Sequence, residues 1–181
     1  MELHNLFSVP IGYAILDGVD NLKLESFCKH KSIELDGQSF LLDLDQCPEI
    51  DELSKRVSYE LNSMHTECGL KFSQKISEVW CNVGSPPATI TPHTHYSFFT
   101  SVYYVKTGSG KLNILNPNNS IEKLIPSEIV ETFNPFNQLI QRINPTQGLL
   151  VIHPSWLLHY VDDHQDENRI SIVFDSIIDH S

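Results

Sequence analysis

The spacing of apolar residues changes near residue 70, and this change constrains the fold more than any other feature. Over residues 49–66 apolar side chains recur at steps of three and four, which predicts an amphipathic helix with one buried face. These side chains are Ile50, Leu53, Val57, Leu61 and Met64. Pro48 precedes this segment and Gly69 follows it as a stop signal. A shorter helix is predicted over residues 20–30, with Asp20 as its N-cap.

Beyond residue 70 the chain breaks into seven short segments rich in β-branched and aromatic residues, separated by Gly, Pro, Asn and Asp. Such segments are typical of strands in a β-sandwich or barrel. We expect an opening strand within residues 6–16 and helices that buttress one outer face. The prediction is a single mainly β domain over 1–181, with a helical part at 1–70 and a β core at 71–181. A long loop or lid is predicted at 116–136.

Composition narrows the classes of function. The 181 residues include 12 Lys and Arg against 23 Asp and Glu, for a net charge of -11, which disfavours nucleic acid as a partner. We see no membrane-length apolar run and no secretory leader, so no membrane association is expected. The four cysteines form no C-x-x-C pair. They are predicted to be free, buried thiols in a reducing compartment, which favours a cytoplasmic location.

Two histidines, His93 and His95, precede the most aromatic segment of the chain. In a regular strand, side chains at i and i+2 share a face, so both imidazoles could reach one metal ion. Pro92 would stand at the entrance of that strand. An H-x-H pair alone is a weak motif, and two separately hydrogen-bonded histidines are the plainer interpretation.

A third histidine strengthens the metal hypothesis. His159 lies in an apolar segment, where a buried imidazole needs a partner. The partner can be a metal ion or a backbone carbonyl. His153, at the end of its strand, is expected nearer the rim. His164 is expected in an exposed hairpin loop over residues 162–168.

An arginine follows that predicted hairpin. Antiparallel pairing across it would place His159 opposite residues 169–171, and Arg169 and Ser171 would share one face. A guanidinium in an apolar strand needs an anion, and its planar fork matches a carboxylate. The alternative is an ion pair at the hairpin end. Its acidic partner would be Asp162, Asp163 or Glu167.

Together these segments resemble the double-stranded β-helix oxygenases that use iron(II) and 2-oxoglutarate, especially a small family with an H-x-H motif. The likeness covers nearly the whole chain in order. It rests on "LFSVP" at 6–10, Trp80 and Asn82, "HTH" at 93–95, "SVYYV" at 101–105, "PSWLLHYV" at 154–161 and "RISIVF" at 169–174. The implied fold is a jelly-roll, cupin-like barrel.

The resemblance also implies roles for individual residues. His93 and His159 match the two histidines of the iron triad, and His95 stands where the usual carboxylate ligand would be. His95 would complete an all-imidazole site or act behind the ligands. Arg169 matches the anchor for the distal carboxylate of 2-oxoglutarate, and Ser171 would donate a further hydrogen bond.

Further candidates follow from the same resemblance. Asn82 and Tyr103 are weaker cosubstrate contacts, with Tyr104 as the fallback if a bulge intervenes. Trp80 and Trp156 are expected to pack in the core and at the rim.

The implied activity is hydroxylation of an unidentified substrate, a small molecule or a protein side chain, with release of succinate and CO₂. The substrate is expected to contact the loops at 84–92 and 116–137, and a homodimer is compatible with the sequence. Two alternatives remain open at this point. One is a three-histidine cupin-type metal dioxygenase or isomerase that works without 2-oxoglutarate. The other is a non-catalytic metal-binding β-barrel.

Overall fold

The fold consists of two antiparallel sheets with helices packed on the larger one. The computed structural model describes residues 1–2, 8–84, 88–118, 125–134, 137–164 and 169–180. Within these ranges ten strands and two α-helices are present. The prediction of a mainly β chain with its helices near the N-terminus is confirmed.

The larger sheet contains six strands in the order β1-β8-β5-β10-β3-β2. Its strands are β1 (Gly12–Ile15), β2 (Ser39–Leu41), β3 (Ser73–Gly84), β5 (Phe99–Lys106), β8 (Leu149–Pro154) and β10 (Arg169–Asp179). The smaller sheet has the order β4-β9-β6-β7. Its strands are β4 (Ala88–His93), β6 (Leu112–Leu115), β7 (Ile140–Ile143) and β9 (His159–His164).

Both predicted helices are present. Helix α1 spans Asn21–Glu34, and the Asp20 carboxylate caps it by accepting a bond from the Lys23 N–H at 3.1 Å. Helix α2 spans Pro48–Glu67. Gly69 has a φ of +70°, a conformation that glycine adopts at little cost, and its N–H bonds the Thr66 carbonyl at 2.9 Å.

Alternation along the strands divides the apolar residues into two cores. On β5, Tyr103 and Val105 join the cluster beneath the two helices. Val102 and Tyr104 point the other way and join a cluster formed with residues of the smaller sheet. The helices therefore buttress one face of the larger sheet, as predicted, and the opposite face is turned towards the smaller sheet.

The predicted hairpin before Arg169 is wrong. Strand β9 pairs with β4 and β6, whereas β10 pairs with β3 and β5. The chain thus passes from one sheet to the other, so residue 159 does not lie opposite residues 169–171. Residues 162–164 belong to β9 rather than to a loop, and residues 165–168 lie outside the described residues. A short polar connection looks the same in sequence whether the chain turns within a sheet or crosses to another.

Other strand boundaries also differ from expectation. His93 ends β4 and does not begin the next strand, and Pro92 is the penultimate residue of that strand rather than its entrance. Strands β2 and β4 were not predicted, because one has three residues and half of the residues in the other are polar. The opening strand is limited to β1, and Leu6 and Phe7 lie outside the described residues.

The predicted loop at 116–136 contains a short 3-10 helix at Ser127–Ile129, while residues 119–124 and 135–136 lie outside the described residues. Its role as a lid stays a prediction. All four cysteines are free, as expected, and three of them are buried. Neither described helix has the length and apolar character needed to span a membrane.

We expect the contact between α1 and the larger sheet to contribute strongly to stability. Leu24 is fully buried, whereas Leu22 on the same helix is 78% exposed. Leu24→Ala should lower the free energy of unfolding by about 2–5 kcal/mol, because it leaves a cavity in the core. Urea denaturation followed by circular dichroism measures this. Leu22→Ala is the matched control, with an expected change within about 0.5 kcal/mol. Equal losses for both variants would contradict the packing of α1.

Candidate metal and cosubstrate site

Two histidines meet across the smaller sheet. The register of β4 and β9 pairs His93 with His159, and their ring centroids are 4.4 Å apart. Both residues stand at an end of their strand, since β4 ends at His93 and β9 begins at His159. The pairing brings together two residues that are far apart in sequence.

His95 joins this pair from outside the strand. It follows the end of β4, and its backbone N–H donates to the Ser155 carbonyl at 2.9 Å. The prediction that His93 and His95 lie on one regular strand is therefore wrong. Even so, Nε2 of His95 lies 3.3 Å from Nε2 of His159. One nitrogen from each of the three histidines falls within 4.8 Å of the others, a spacing that a single metal ion could bridge.

The other ring nitrogens orient the histidines. Nδ1 of His93 donates to the Thr91 carbonyl at 2.7 Å, and Nδ1 of His159 donates to the Leu157 carbonyl at 2.8 Å. A carbonyl can only accept, so in a neutral ring the proton lies on Nδ1 and Nε2 carries the lone pair. Nδ1 of His95 lies 3.4 Å from Oδ2 of Asp175. Metal-binding histidines commonly have this arrangement.

Burial keeps part of the cluster neutral. Desolvation lowers the pKa of His159 to about 3, so its imidazole is unprotonated near neutral pH and available as a ligand. His153 is fully buried, and its ring centroid is 4.5 Å from that of His159. The expectation that His153 lies near the rim is wrong. Desolvation lowers its pKa to about 4, and it is not one of the three clustered histidines.

Sequence reasoning missed Asp175. The residue is buried near the centre of β10, and Oδ1 accepts a bond from the Thr100 hydroxyl at 2.6 Å. Burial raises its pKa, but bonds from His95 and Thr100 outweigh that effect and lower the pKa below its usual value. The signal was available, because Asp175 has the same strand parity as Arg169, Ser171 and Val173.

Arg169 is buried, with 3% of its surface exposed. Its guanidinium lies 5.3 Å from the centre of the Tyr104 ring, and Nη1 is 3.4 Å from Oγ of Ser171. Among the described residues it contacts no carboxylate, and its Nε has no hydrogen-bond partner. Among the described residues no ion pair joins Arg169 to Asp162, whose carboxylate accepts from the Asn113 amide at 2.7 Å. The side chains of Asp163 and Glu167 lie outside the described residues.

A cavity of about 470 Å³ lies between the sheets and joins these groups. The three clustered histidines, Arg169 and Ser171 all line it, together with Asn82 and Tyr104. The Tyr104 hydroxyl is buried without a partner among the described residues, and burial raises its pKa. A buried guanidinium and hydroxyl that line one cavity have the chemistry of a carboxylate site.

Tyr103 does not line the cavity, so its predicted contact with the cosubstrate is wrong. It points to the opposite face of β5, where its hydroxyl donates to Oδ1 of Asn21 at 2.9 Å in α1. Its parity was carried over from His93 and His95, but residues 94–98 are not in a strand, so the alternation is lost between β4 and β5. Tyr104, the fallback, is the tyrosine that lines the cavity.

The two tryptophans have different surroundings. Trp80 stacks on the His95 ring, with centroids 5.3 Å apart and planes at 24°, and it lines the cavity. It therefore contacts the site and also packs against the apolar cluster between the two sheets. Trp156 is 56% exposed, in agreement with a position at the rim.

Iron(II) and 2-oxoglutarate match this set of residues. Three converging imidazole nitrogens supply donors suited to iron, and the unpaired guanidinium suits one end of a dicarboxylate. Both features open into the same cavity.

The sequence comparison gives the family. A family model described as "Putative 2OG-Fe(II) oxygenase" matches residues 78–175, more than half of the chain. The matched segment includes the three histidines, Arg169 and Asp175. No curated protein matches the chain significantly.

Solved structures with a similar fold include several 2-oxoglutarate-dependent enzymes. A Pseudomonas putida prolyl-4-hydroxylase is 15% identical, with a TM-score of 0.68 and 93% of each chain covered. The viral collagen prolyl hydroxylase vCPH from Paramecium Bursaria Chlorella virus-1, in complex with 2-oxoglutarate, is 14% identical with a TM-score of 0.61, covering 92% of this chain and 94% of that one. The α-ketoglutarate-dependent carbocyclase SnoK from nogalamycin biosynthesis is 10% identical with a TM-score of 0.67, covering 94% and 80%.

The chain belongs to the 2-oxoglutarate- and iron(II)-dependent oxygenase family. It is an oxidoreductase whose cofactors are iron(II) and 2-oxoglutarate and whose substrate is unknown.

We expect the metal to depend on the clustered histidines. His159→Ala should abolish binding of cobalt(II), a spectroscopic substitute for iron(II), because it removes one of three converging nitrogens. Absorption titration of the purified, tag-free protein measures this. His30→Ala is the control, since His30 is exposed on α1 and should bind cobalt(II) like the wild type. Unchanged binding in His159→Ala would contradict the site.

Proposed function

We propose that the protein hydroxylates its substrate at an iron(II) ion held by His93, His95 and His159, with 2-oxoglutarate anchored by Arg169. The observation that carries the proposal is a single cavity. It joins three converging imidazoles to a buried guanidinium that contacts no carboxylate among the described residues.

The bound iron and 2-oxoglutarate would supply the oxidising chemistry, with O₂ as oxidant and succinate and CO₂ as products. The chain contributes ligands, orientation and exclusion of water. His93 and His159 present Nε2 because each Nδ1 proton is held by a backbone carbonyl. No described residue needs to act as a nucleophile.

Ligation by His95, rather than a role behind the ligands, is favoured by its distance from His159. Two lone pairs that face each other at 3.3 Å repel unless a cation or a proton lies between them. The spacing would suit nitrogens that share one metal ion. His95 would then take the position of the usual carboxylate.

Arg169 would bind the distal carboxylate of 2-oxoglutarate with its planar fork. Ser171 and Tyr104 both lie beside the guanidinium and have hydroxyls that can donate to the same carboxylate. Asn82 lines the cavity and is a further candidate contact. The three-histidine dioxygenase without 2-oxoglutarate is less favoured, because it leaves the buried arginine without an anion.

The finer architecture belongs to the same proposal. Two facing antiparallel sheets with the metal cluster between them are consistent with a double-stranded β-helix. We treat residues 1–181 as one such domain. Four free cysteines favour a reducing compartment such as the cytoplasm.

The substrate would approach beside His95. A second cavity, of about 760 Å³, meets the first at Ser39, Trp80 and His95. Leu41, Glu78 and Tyr96 also line it. It can admit a small molecule or a side chain on a protein surface. Relatives in fold include enzymes named for either kind of substrate, the prolyl hydroxylases and the carbocyclase SnoK.

Arg169→Leu should weaken 2-oxoglutarate binding by about 10- to 100-fold, because it removes a charge-assisted hydrogen bond worth about 1.5–3 kcal/mol. Cobalt(II) binding should be nearly unchanged, since Arg169 does not touch the three histidines. Calorimetry with 2-oxoglutarate, and succinate release from the iron-loaded protein, measure the effect.

Glu78→Ala is the matched control, because Glu78 lines only the second of these two cavities. It should leave 2-oxoglutarate binding unchanged. Wild-type protein that binds metal yet forms no succinate from 2-oxoglutarate would favour the non-catalytic alternative. If Arg169→Leu binds 2-oxoglutarate as tightly as the wild type, Arg169 does not bind its distal carboxylate.

A further inference from the structure

The proposed ligand set contains no carboxylate, and this raises a question of charge and orientation. The common facial triad has two histidines and one carboxylate, which offsets one positive charge of iron(II). Three neutral imidazoles offset none. Of the three rings, two are oriented by carbonyls of neighbouring backbone, and His95 is the exception.

Asp175 lies directly behind His95. Its Oδ2 is 3.4 Å from Nδ1 of His95, on the side of the ring away from Nε2. The carboxylate belongs to β10 of the larger sheet, whereas His93 and His159 belong to the smaller sheet. The Asp175–His95 contact therefore links the metal cluster to the opposite wall of the cavity.

A chain of hydroxyl groups holds Asp175 in place. Ser97 and Ser155 are 2.6 Å apart at Oγ, and Oγ of Ser155 is 2.8 Å from Oγ1 of Thr100. Thr100 donates to Oδ1 of Asp175 at 2.6 Å. Because each hydroxyl has one proton, all three bonds are satisfied when donation runs from Ser97 to Ser155 to Thr100 to Asp175. With Oδ1 bound to Thr100, Oδ2 is the oxygen that lies 3.4 Å from Nδ1 of His95.

The same network holds the backbone of His95. The carbonyl of Ser155 accepts the His95 N–H at 2.9 Å, and the Trp80 ring stacks on the imidazole. The main chain, ring plane and Nδ1 of His95 are thus each constrained by a different neighbour. With the ring held in this way, Nε2 of His95 lies 3.3 Å from Nε2 of His159.

We propose that Asp175 is a positioning residue for the metal site. Its carboxylate holds the proton on Nδ1 of His95 and places a negative charge next to this metal ligand. This carboxylate would not bind the metal itself, but it would supply the negative charge that a ligand set without a carboxylate lacks. The inference rests on the proposed function, because it requires His95 to be a metal ligand.

The test compares cobalt(II) affinity in the full-length wild type and two variants. Asp175→Asn retains the size of the side chain and an oxygen that can accept from His95, but it loses the charge. Asp175→Ala loses both. We expect about 10-fold weaker binding for the Asn variant and up to about 100-fold for the Ala variant, the usual range for partners behind a ligand.

A matched control separates this role from general damage to β10. Ser176 is the next residue, fully buried, and its hydroxyl bonds Gln74 and the Phe99 carbonyl, away from the histidines. Ser176→Ala should lower thermal stability and leave cobalt(II) affinity unchanged. If Asp175→Asn reduces affinity no more than Ser176→Ala does, the positioning role is wrong.

A second measurement applies to the protein loaded with zinc(II), a diamagnetic substitute for iron(II). Long-range ¹H–¹⁵N spectra distinguish a proton on Nδ1 from one on Nε2. His95 should carry it on Nδ1 in the wild type, and the Nε2 form should appear in Asp175→Ala. An Nε2 proton in the wild type would overturn the inference.

The outcomes also separate this inference from the proposed function. If the wild type binds no cobalt(II), the metal site fails and the inference fails with it. If the wild type binds cobalt(II) and both Asp175 variants bind equally well, the inference alone is overturned.

Discussion

The antiparallel register of β4 and β9 is the constraint on which the site depends, because it sets His93 opposite His159. A shift of this register by one residue would turn one of the two side chains to the other face of the sheet. On its other edge β9 pairs with β6, where Ile114 lies opposite His159. Leu112 and Ile114 of β6 are buried in the apolar cluster between the two sheets. The position of the metal cluster is therefore fixed by ordinary apolar packing.

The larger sheet completes the site from the other side. Strand β10 lies between β3 and β5, and its inward residues alternate from Arg169 through Ser171 and Val173 to Asp175. A cation thus stands at one end of this row and an anion towards the other. The guanidinium serves the cosubstrate in our proposal, and the carboxylate contacts His95. One strand of alternating residues supplies both charges, while its other face remains apolar in the core beneath the helices.

Much of this arrangement could be predicted from the sequence. The helices followed from apolar spacing and caps, and the strands followed from short β-branched runs between turn residues. His93 and His95 were candidates because residues at i and i+2 of a strand share a face, and His159 and Arg169 because polar groups in apolar strands need partners. The predictions that were wrong depended on spatial neighbours. Tyr103 was chosen over Tyr104 because alternation was carried across residues 94–98, where the strand is interrupted. Asp175 was missed because its partners, Thr100 and His95, are far away in the chain.

Local pattern was enough to indicate the secondary structure and the residue types of a metal and carboxylate site, because spacing and side-chain chemistry are properties of the chain. The neighbours of each strand are decided only by the tertiary structure. The passage from β9 to β10 crosses between sheets, and that crossing puts His159 and Arg169 on opposite walls of one cavity rather than side by side on one sheet. The physical reason is that strand pairing depends on contacts between residues distant in sequence, and the alternation of a single strand carries no information about its partner.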